Sequence, residues 1–149
     1  MRVLVVEDGS EYSDTLSRFL REGFSWTRAG SGGEALALLG TEEYHAVFLD
    51  MRFDRCAPDR LFGNLDEAID RFNGDPIQAR RFLEDHQGTW ILAAIRQAGH
   101  ATPVLFSYDF GSEPRRWERI RARQAPVAWV PGNAGPGEIA VALLALAVP

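Results

Sequence analysis

The chain has 149 residues, of which 46% are hydrophobic and 25% are charged, and this composition is typical of one globular domain. All 16 basic residues are arginine, so the absence of lysine excludes a Walker A phosphate loop, a protein kinase of the usual type and Schiff-base chemistry. The net charge of −5 argues against direct binding of nucleic acid, and the single Cys56 excludes an intrachain disulfide and favours a reducing compartment.

Strand-like and helix-like segments alternate along the chain. Short runs rich in apolar residues predict five strands, at 2–6, 24–29, 46–50, 104–107 and 127–130. Apolar residues at helical spacing predict helices over 10–22, 31–39, 89–97, 113–123 and 137–147. This alternation predicts an α/β fold, a doubly wound five-stranded parallel sheet that forms a single domain over residues 1–149.

The connection that follows the third predicted strand is unusually long. The interval from Ala46 to Ser107 is more than twice as long as those between the other successive strands. Helix-capping signals at Asn64 and at Asp75, the latter followed by proline, predict a helical insertion over approximately residues 52–87. Five large apolar side chains of this insertion are expected to pack on the same chain: Leu61, Phe62, Leu65, Ile69 and Phe72.

Acidic residues stand at the ends of two predicted strands. Glu7 and Asp8 follow the first strand, and Asp50 ends the third. Parallel strands end at one edge of a sheet, where open α/β sheets bind ligands, so the three carboxylates are expected within reach of one ion. Their oxygens suit Mg²⁺. The competing interpretation is that the carboxylates only accept hydrogen bonds from loop amides, and three at matching positions, with Ser107 at a fourth strand end, favour a site.

The order of these segments resembles the receiver domain of bacterial two-component response regulators. The resemblance rests on five features: Val3-Leu4-Val5-Val6-Glu7-Asp8, Phe48-Leu49-Asp50-Met51, Gly88, Thr102-Pro103-Val104-Leu105-Phe106-Ser107, and Val130-Pro131. It implies a flavodoxin-like receiver fold with the helical insertion between the third strand and the family's third helix. It also implies that Asp50 accepts a phosphoryl group from a histidine kinase or a phosphotransfer protein.

The resemblance assigns further roles to single residues. Glu7, Asp8, Asp50 and the backbone carbonyl of Arg52 would hold Mg²⁺. Ser107 would be the switch residue that hydrogen bonds to the phosphoryl group.

One family feature is missing. Val130-Pro131 stands where the family has a lysine–proline pair, so the ammonium group that normally contacts the phosphoryl group is absent. Arg52 and Arg55 are candidate phosphate contacts in its place. The peptide bond at this pair is commonly cis in the family, and we expect the same before Pro131, since a cis bond there costs only about 0.5–1 kcal/mol.

Three functions stay open. The first is a non-enzymatic signalling receiver that is phosphorylated on Asp50, and the second is a pseudo-receiver that binds proteins without phosphorylation. The third, a Mg²⁺-dependent phosphoryl-transfer enzyme, is disfavoured because Asp50-Met51-Arg52 lacks a second acid.

The expected partner is a protein. It would dock on the insertion 52–87 or on the arginine-rich helix 113–123, whose charges are equally consistent with a solvated surface. Neither nucleic acid nor a membrane is expected as a partner, and a homodimer stays open. Because the N-terminal run is unlike a signal peptide and the apolar stretch 139–148 is too short to span a bilayer, a cytoplasmic protein is expected.

Overall fold

Five parallel strands form the centre of the structure, a computed structural model in which residues 1–148 are described. Their order across the sheet is β2-β1-β3-β4-β5. The strands are β1 (Arg2–Val6), β2 (Ser25–Ala29), β3 (Ala46–Asp50), β4 (Val104–Ser107) and β5 (Val127–Val130). This order confirms the predicted doubly wound sheet, and it places the switch point, where the direction of winding reverses, between β1 and β3.

Seven α-helices connect or follow the strands within the described residues. They are α1 (Glu11–Phe19), α2 (Gly32–Thr41), α3 (Leu65–Arg71), α4 (Pro76–Asp85), α5 (Gln87–Gln97), α6 (Pro114–Gln124) and α7 (Pro136–Leu146). The predicted helices match to within a few residues at their ends. None of the helices in residues 1–148 has the length and apolar character needed to cross a membrane.

Two apolar cores lie on opposite faces of the sheet, because successive side chains of a strand point to opposite faces. Helices α1 and α7 cover one face and α2, α5 and α6 cover the other. The first core includes Val3, Val5, Phe48, Leu105, Leu16, Ile139 and Leu143. The second includes Leu4, Val6, Leu49, Phe106, Ile91, Ile95 and Phe110.

The segment between β3 and α5, here called the 51–86 segment, contains helices α3 and α4. Both helices begin where the sequence predicts. The Asn64 side chain accepts a hydrogen bond from the amide of Glu67 at 3.1 Å, and Asp75 accepts from the amide of Ile77 at 3.0 Å. These side chains satisfy amides that have no partner inside the helix.

The 51–86 segment packs on its own chain in two parts. Phe53 and Cys56 are buried in the core beneath α2 and α5. Helices α3 and α4 instead form a third cluster that packs against α5, with Ala68, Ala79 and Leu83 at its centre and Leu61, Ile69, Phe72, Phe82 and Trp90 around it. The expected packing is wrong for Leu65, which is 43% exposed.

The amide side chain of Gln87 joins the two parts of this segment to α5. Its Oε1 accepts a hydrogen bond from the amide of Phe62 at 2.8 Å, and its Nε2 donates to the carbonyls of Phe62 at 2.8 Å and Leu83 at 2.9 Å. Gln87 is buried, and within residues 1–148 every buried polar side-chain atom has a hydrogen-bond partner.

Candidate functional site

A cleft of about 350 Å³ opens at the carboxyl edge of the sheet, beside the switch point between β1 and β3. Its lining is mainly acidic, with two arginines at one side. The lining residues are Glu7, Asp8, Gly9, Glu11, Tyr12, Asp50, Arg52, Asp54 and Arg55. The cleft therefore contains the three carboxylates that the sequence places at strand ends.

Asp50 is the last residue of β3 and lies opposite Ser107 of β4 in the register of the sheet. One of its carboxylate oxygens accepts a hydrogen bond from the amide of Met51 at 2.8 Å. Burial raises the pKa of Asp50 to about 7, and the charges of Asp8 and Glu7 add to the rise, while the Met51 amide opposes it. A cation in the cleft would favour the ionised carboxylate, so this electrostatic environment is consistent with a metal ion beside Asp50.

Glu7 has a structural task. Its carboxylate accepts hydrogen bonds from the amide of Tyr12 at 3.1 Å and from the amide and hydroxyl of Ser13, each at 2.7 Å. These amides belong to the first turn of α1, where donors lack partners in the helix and a negative charge is favourable. Glu7 therefore caps α1.

The task of Glu7 changes the predicted metal site. Among residues 1–148, no group of three acidic, histidine or cysteine side chains has an arrangement that could hold a metal ion. Glu7, Asp8 and Asp50 nevertheless line one cleft, so a magnesium site shared by their carboxylates, with the Arg52 carbonyl as a further ligand, stays a prediction. Because the hydrogen bonds of Glu7 hold its carboxylate toward α1, Asp8 and Asp50 are the carboxylates that are free to bind the ion in this arrangement.

Asp8 is held by the first residues of the 51–86 segment. Its Oδ2 accepts a hydrogen bond from the amide of Arg55 at 2.5 Å. The Arg55 guanidinium lies 2.6 Å from the carboxylate of Glu11 across the cleft. The Arg52 guanidinium pairs with the carboxylates of Asp85 at 3.1 Å and Asp54 at 3.6 Å. Both candidate phosphate contacts line the cleft and are engaged with acids.

Arg28 of β2 fixes the loop that carries the acidic pair, and sequence analysis missed it. Its guanidinium donates hydrogen bonds to the carbonyls of Glu7 at 3.2 Å and Asp8 at 3.0 Å, and also to that of Gly9. Three loop carbonyls thus converge on one side chain from the neighbouring strand. The sequence offered no signal for this role, because an arginine in an exposed strand position usually remains in water.

Tyr12 is the second residue that sequence analysis missed. Its hydroxyl lies 2.6 Å from the Ser107 hydroxyl and donates to the carbonyl of Gly132 at 3.1 Å. Its ring packs edge-on against Phe48, with 5.0 Å between the centroids. Burial raises the pKa of the Tyr12 phenol, with a further contribution from the charge of Asp50, so it stays protonated near neutral pH. Tyr12 lies in the helix predicted over 10–22, where helical spacing indicates only a packing role.

Val130 does not line the cleft and packs in the core beside α7. Its backbone carbonyl accepts a hydrogen bond from the amide of Tyr108 at 2.9 Å. The expected cis bond before Pro131 is wrong, since the cis bond found among residues 1–148 lies between Ala125 and Pro126. The trans form found before Pro131 is the lower in energy by about 0.5–1 kcal/mol. The Val130 side chain in the core and the hydrogen bond from Tyr108, which follows β4, hold the residue before it in place.

Comparisons of the sequence gave no match to a family model or to a curated protein. The structure, in contrast, is similar to many solved structures. It aligns with the receiver domain of the Francisella response regulator 1452 at a TM-score of 0.63 and 17% identity, covering 98% of this chain and 95% of that one. It aligns with the chemotaxis protein CheY4 of Vibrio cholerae at a TM-score of 0.65 and 17% identity, covering 97% of each chain.

A third similar structure is described as an adenylate cyclase from Rhodopirellula baltica, with a TM-score of 0.67, 20% identity, and coverage of 98% of this chain and 86% of that one. At these identities the similarity concerns the fold. Sheet order, chain coverage and TM-scores agree with the fold that the motifs of the sequence imply. The chain has the flavodoxin-like fold of the receiver domains of response regulators.

Proposed function

We propose that this protein is a receiver-type signalling module that accepts a phosphoryl group on Asp50 from a histidine kinase or a phosphotransfer protein. The observation that carries the proposal is the position of Asp50. It ends β3 opposite Ser107, in a cleft that also holds Asp8, at the switch point of a receiver fold. A lone acid at a strand end would give much weaker support for a phosphorylation site, because acids in loops often only accept hydrogen bonds from the backbone.

The proposed chemistry is a simple transfer. A carboxylate oxygen of Asp50 attacks the phosphorus of a phosphohistidine, the new O–P bond forms as the N–P bond breaks, and the product is an acyl phosphate. A magnesium ion, when bound, would neutralise phosphoryl charge beside the carboxylates. Asp8 and Asp50 would hold that ion together with the Arg52 carbonyl. Asp50 is half-buried, and the Ser107 hydroxyl is the donor at the end of the neighbouring strand β4.

Arginine can supply the positive charge that Val130 does not. The ion pairs of Arg55 with Glu11 and of Arg52 with Asp54 and Asp85 join exposed side chains. Exposed pairs of this kind contribute little to stability, so a guanidinium can exchange its carboxylate for a phosphoryl oxygen. A charge-assisted hydrogen bond to that oxygen is worth about 1.5–3 kcal/mol.

The second candidate function is a pseudo-receiver that binds a protein partner without phosphorylation. Two observations favour it. Val130 is buried in the core and offers no charge to a phosphoryl group, and the Glu7 carboxylate caps α1, so neither side chain takes part in phosphoryl transfer. A cleft of about 730 Å³ between α3, α4, α5 and α6 gives it a docking surface, combining Phe82 and Trp90 with Arg71 and Arg119. An acidic polypeptide segment with an apolar side chain would fit this lining. A Mg²⁺-dependent phosphoryl-transfer enzyme is the weakest alternative.

We also propose that the partners are proteins, reached through the 51–86 segment or helix α6, and that neither nucleic acid nor a membrane is one. The protein would act in the cytoplasm, and self-association into a homodimer is an open alternative.

The test is phosphorylation with acetyl phosphate and Mg²⁺, read by intact mass, together with binding of beryllofluoride read by amide NMR shifts. The proposal expects one added phosphoryl group on the wild type and none on Asp50→Asn. Asp66→Asn, at an exposed position on α3, is the matched control and should behave like the wild type. Absence of both modification and beryllofluoride binding would reject phosphorylation in favour of the pseudo-receiver.

A further inference from the structure

We infer that Tyr12 is a positioning residue of the proposed phosphorylation site: its hydroxyl binds the Ser107 hydroxyl in the free protein and must release it before Ser107 can serve a phosphoryl group on Asp50. This inference rests on the proposed function. It concerns a contact between α1, β4 and the loop that follows β5.

The number of hydroxyl protons decides which group donates to which. The Tyr12 hydroxyl has one proton and two neighbours, the Ser107 hydroxyl at 2.6 Å and the Gly132 carbonyl at 3.1 Å. A carbonyl can only accept, so the Tyr12 proton goes to Gly132 and Ser107 donates its own proton to Tyr12. The donor that the proposed site needs for its phosphoryl group is therefore already used.

Ser107 lies where it can meet a phosphoryl group on Asp50. Ser107 is buried and lies opposite Asp50 in neighbouring strands, so a phosphoryl group on Asp50 comes within its reach. Tyr12 also lines the acidic cleft, and its ring is fixed against Phe48. A phosphoryl oxygen and the Tyr12 hydroxyl thus compete for one serine proton.

The Tyr12 hydroxyl also contacts the loop after β5. Tyr12 reaches Gly132 directly, and that loop is otherwise closed by a hydrogen bond from the amide of Ala134 to the carbonyl of Pro131 at 2.9 Å. Release of Ser107 leaves the Gly132 carbonyl as the remaining hydrogen-bond partner of the Tyr12 hydroxyl, so the change at Ser107 reaches this loop. Phosphorylation would then be transmitted to the 131–135 loop through a phenol, with no lysine involved.

The experiment is a double-mutant cycle on beryllofluoride affinity in the presence of Mg²⁺, measured by NMR titration of the full chain. Tyr12→Phe removes the competing oxygen and keeps the ring, so it should tighten beryllofluoride binding by about twofold to tenfold, the worth of one hydrogen bond. In a Ser107→Ala background, the same change should have no effect, because the contested proton is gone. A purely structural role of the phenol would give the same change in both backgrounds.

Tyr44→Phe is the matched control, because the Tyr44 hydroxyl donates to Glu42 at 3.3 Å and Tyr44 precedes β3, at the edge of the sheet opposite to the cleft. It should leave the affinity unchanged. Two results overturn the role of Tyr12 while the proposed function stands, provided that the wild type binds beryllofluoride. Either Tyr12→Phe leaves the affinity unchanged, or it changes the affinity by the same factor in the wild-type and the Ser107→Ala backgrounds. If the wild type binds none, both fall together. Amide exchange at Gly132 and Asn133 gives a second readout, and Tyr12→Phe should speed it in the free protein.

Discussion

Gly88 lies directly against the backbone of Asp50. A β-carbon at position 88 would stand 2.8 Å from the Asp50 carbonyl oxygen and 2.9 Å from the α-carbon of Met51. The Gly88 amide also donates to the Met51 carbonyl at 3.0 Å. The first turn of α5 therefore fixes the backbone that carries the candidate phosphoacceptor, and only glycine allows this approach.

Gly88→Ala should destabilise the protein by about 1–3 kcal/mol, since the added methyl group overpacks against backbone atoms that cannot yield easily. Urea unfolding at neutral pH measures the change. Gly40→Ala is the control, because Gly40 also lies in a helix and a β-carbon there meets nothing within 4 Å. The control should be neutral or stabilising by up to about 1 kcal/mol. Equal stabilities for Gly88→Ala and the wild type would show that the contact relaxes freely.

The raised pKa of Asp50 predicts a pH dependence of stability. Because the pKa rises in the folded state from 3.8 to about 7, the protonated carboxyl stabilises the fold fully below pH 3.8, and that contribution is lost as the pH rises through 7. Asp50→Asn cannot ionise. Without divalent cations it should therefore be more stable than the wild type at pH 8, by up to about 4 kcal/mol.

The difference between Asp50→Asn and the wild type should shrink toward zero at pH 4 and below, and urea unfolding at pH 8, 6 and 4 measures it. Asp66→Asn controls for the loss of one surface charge. Saturating Mg²⁺ should narrow the gap at pH 8 if a cation binds the ionised carboxylate. A constant difference at all three pH values would contradict the raised pKa.

The separate tasks of Glu7 and Asp8 predict different mutant behaviour. Glu7→Ala removes the cap of α1 and should cost about 1–2 kcal/mol of folding free energy. Asp8→Asn should have a smaller effect on stability but a larger effect on Mg²⁺ binding. In this variant, Mg²⁺ should no longer raise the temperature of thermal unfolding. Glu7→Gln should keep most of the Mg²⁺ effect. If Glu7→Gln abolishes it as completely as Asp8→Asn, Glu7 must turn toward the ion when Mg²⁺ binds.

The strands and the first residues of the helices could be predicted from the sequence, because apolar runs and capping residues such as Asn64 and Asp75 act locally. The gathering of acids at one sheet edge also followed from topology. The directions in which single side chains point could not be predicted in this way. Glu7 could turn toward an ion or toward α1, and the choice depends on amides that exist only once the helix packs. The partner of Tyr12 lies 95 positions away, beyond any local pattern.

The last prediction concerns Gln87, which holds the 51–86 segment. Gln87→Leu keeps the size of the side chain but leaves the amide and carbonyl of Phe62 without this partner, while the carbonyl of Leu83 keeps the hydrogen bond from the amide of His86 at 3.3 Å. A buried polar group without a partner costs about 1–3 kcal/mol, so the variant should lose at least that much stability in urea. Gln97→Leu, at an exposed position near the end of the same helix, is the control and should change the stability little.

Amide exchange locates the effect of Gln87→Leu. In this variant, exchange at Phe62 and in helices α3 and α4 should be faster, while β1 and β3 stay protected. Because Phe53 and Cys56 tie the start of the segment to the main core, exchange near them should rise less. Uniform loss of protection across the whole chain would instead mean that the 51–86 segment unfolds only together with the sheet.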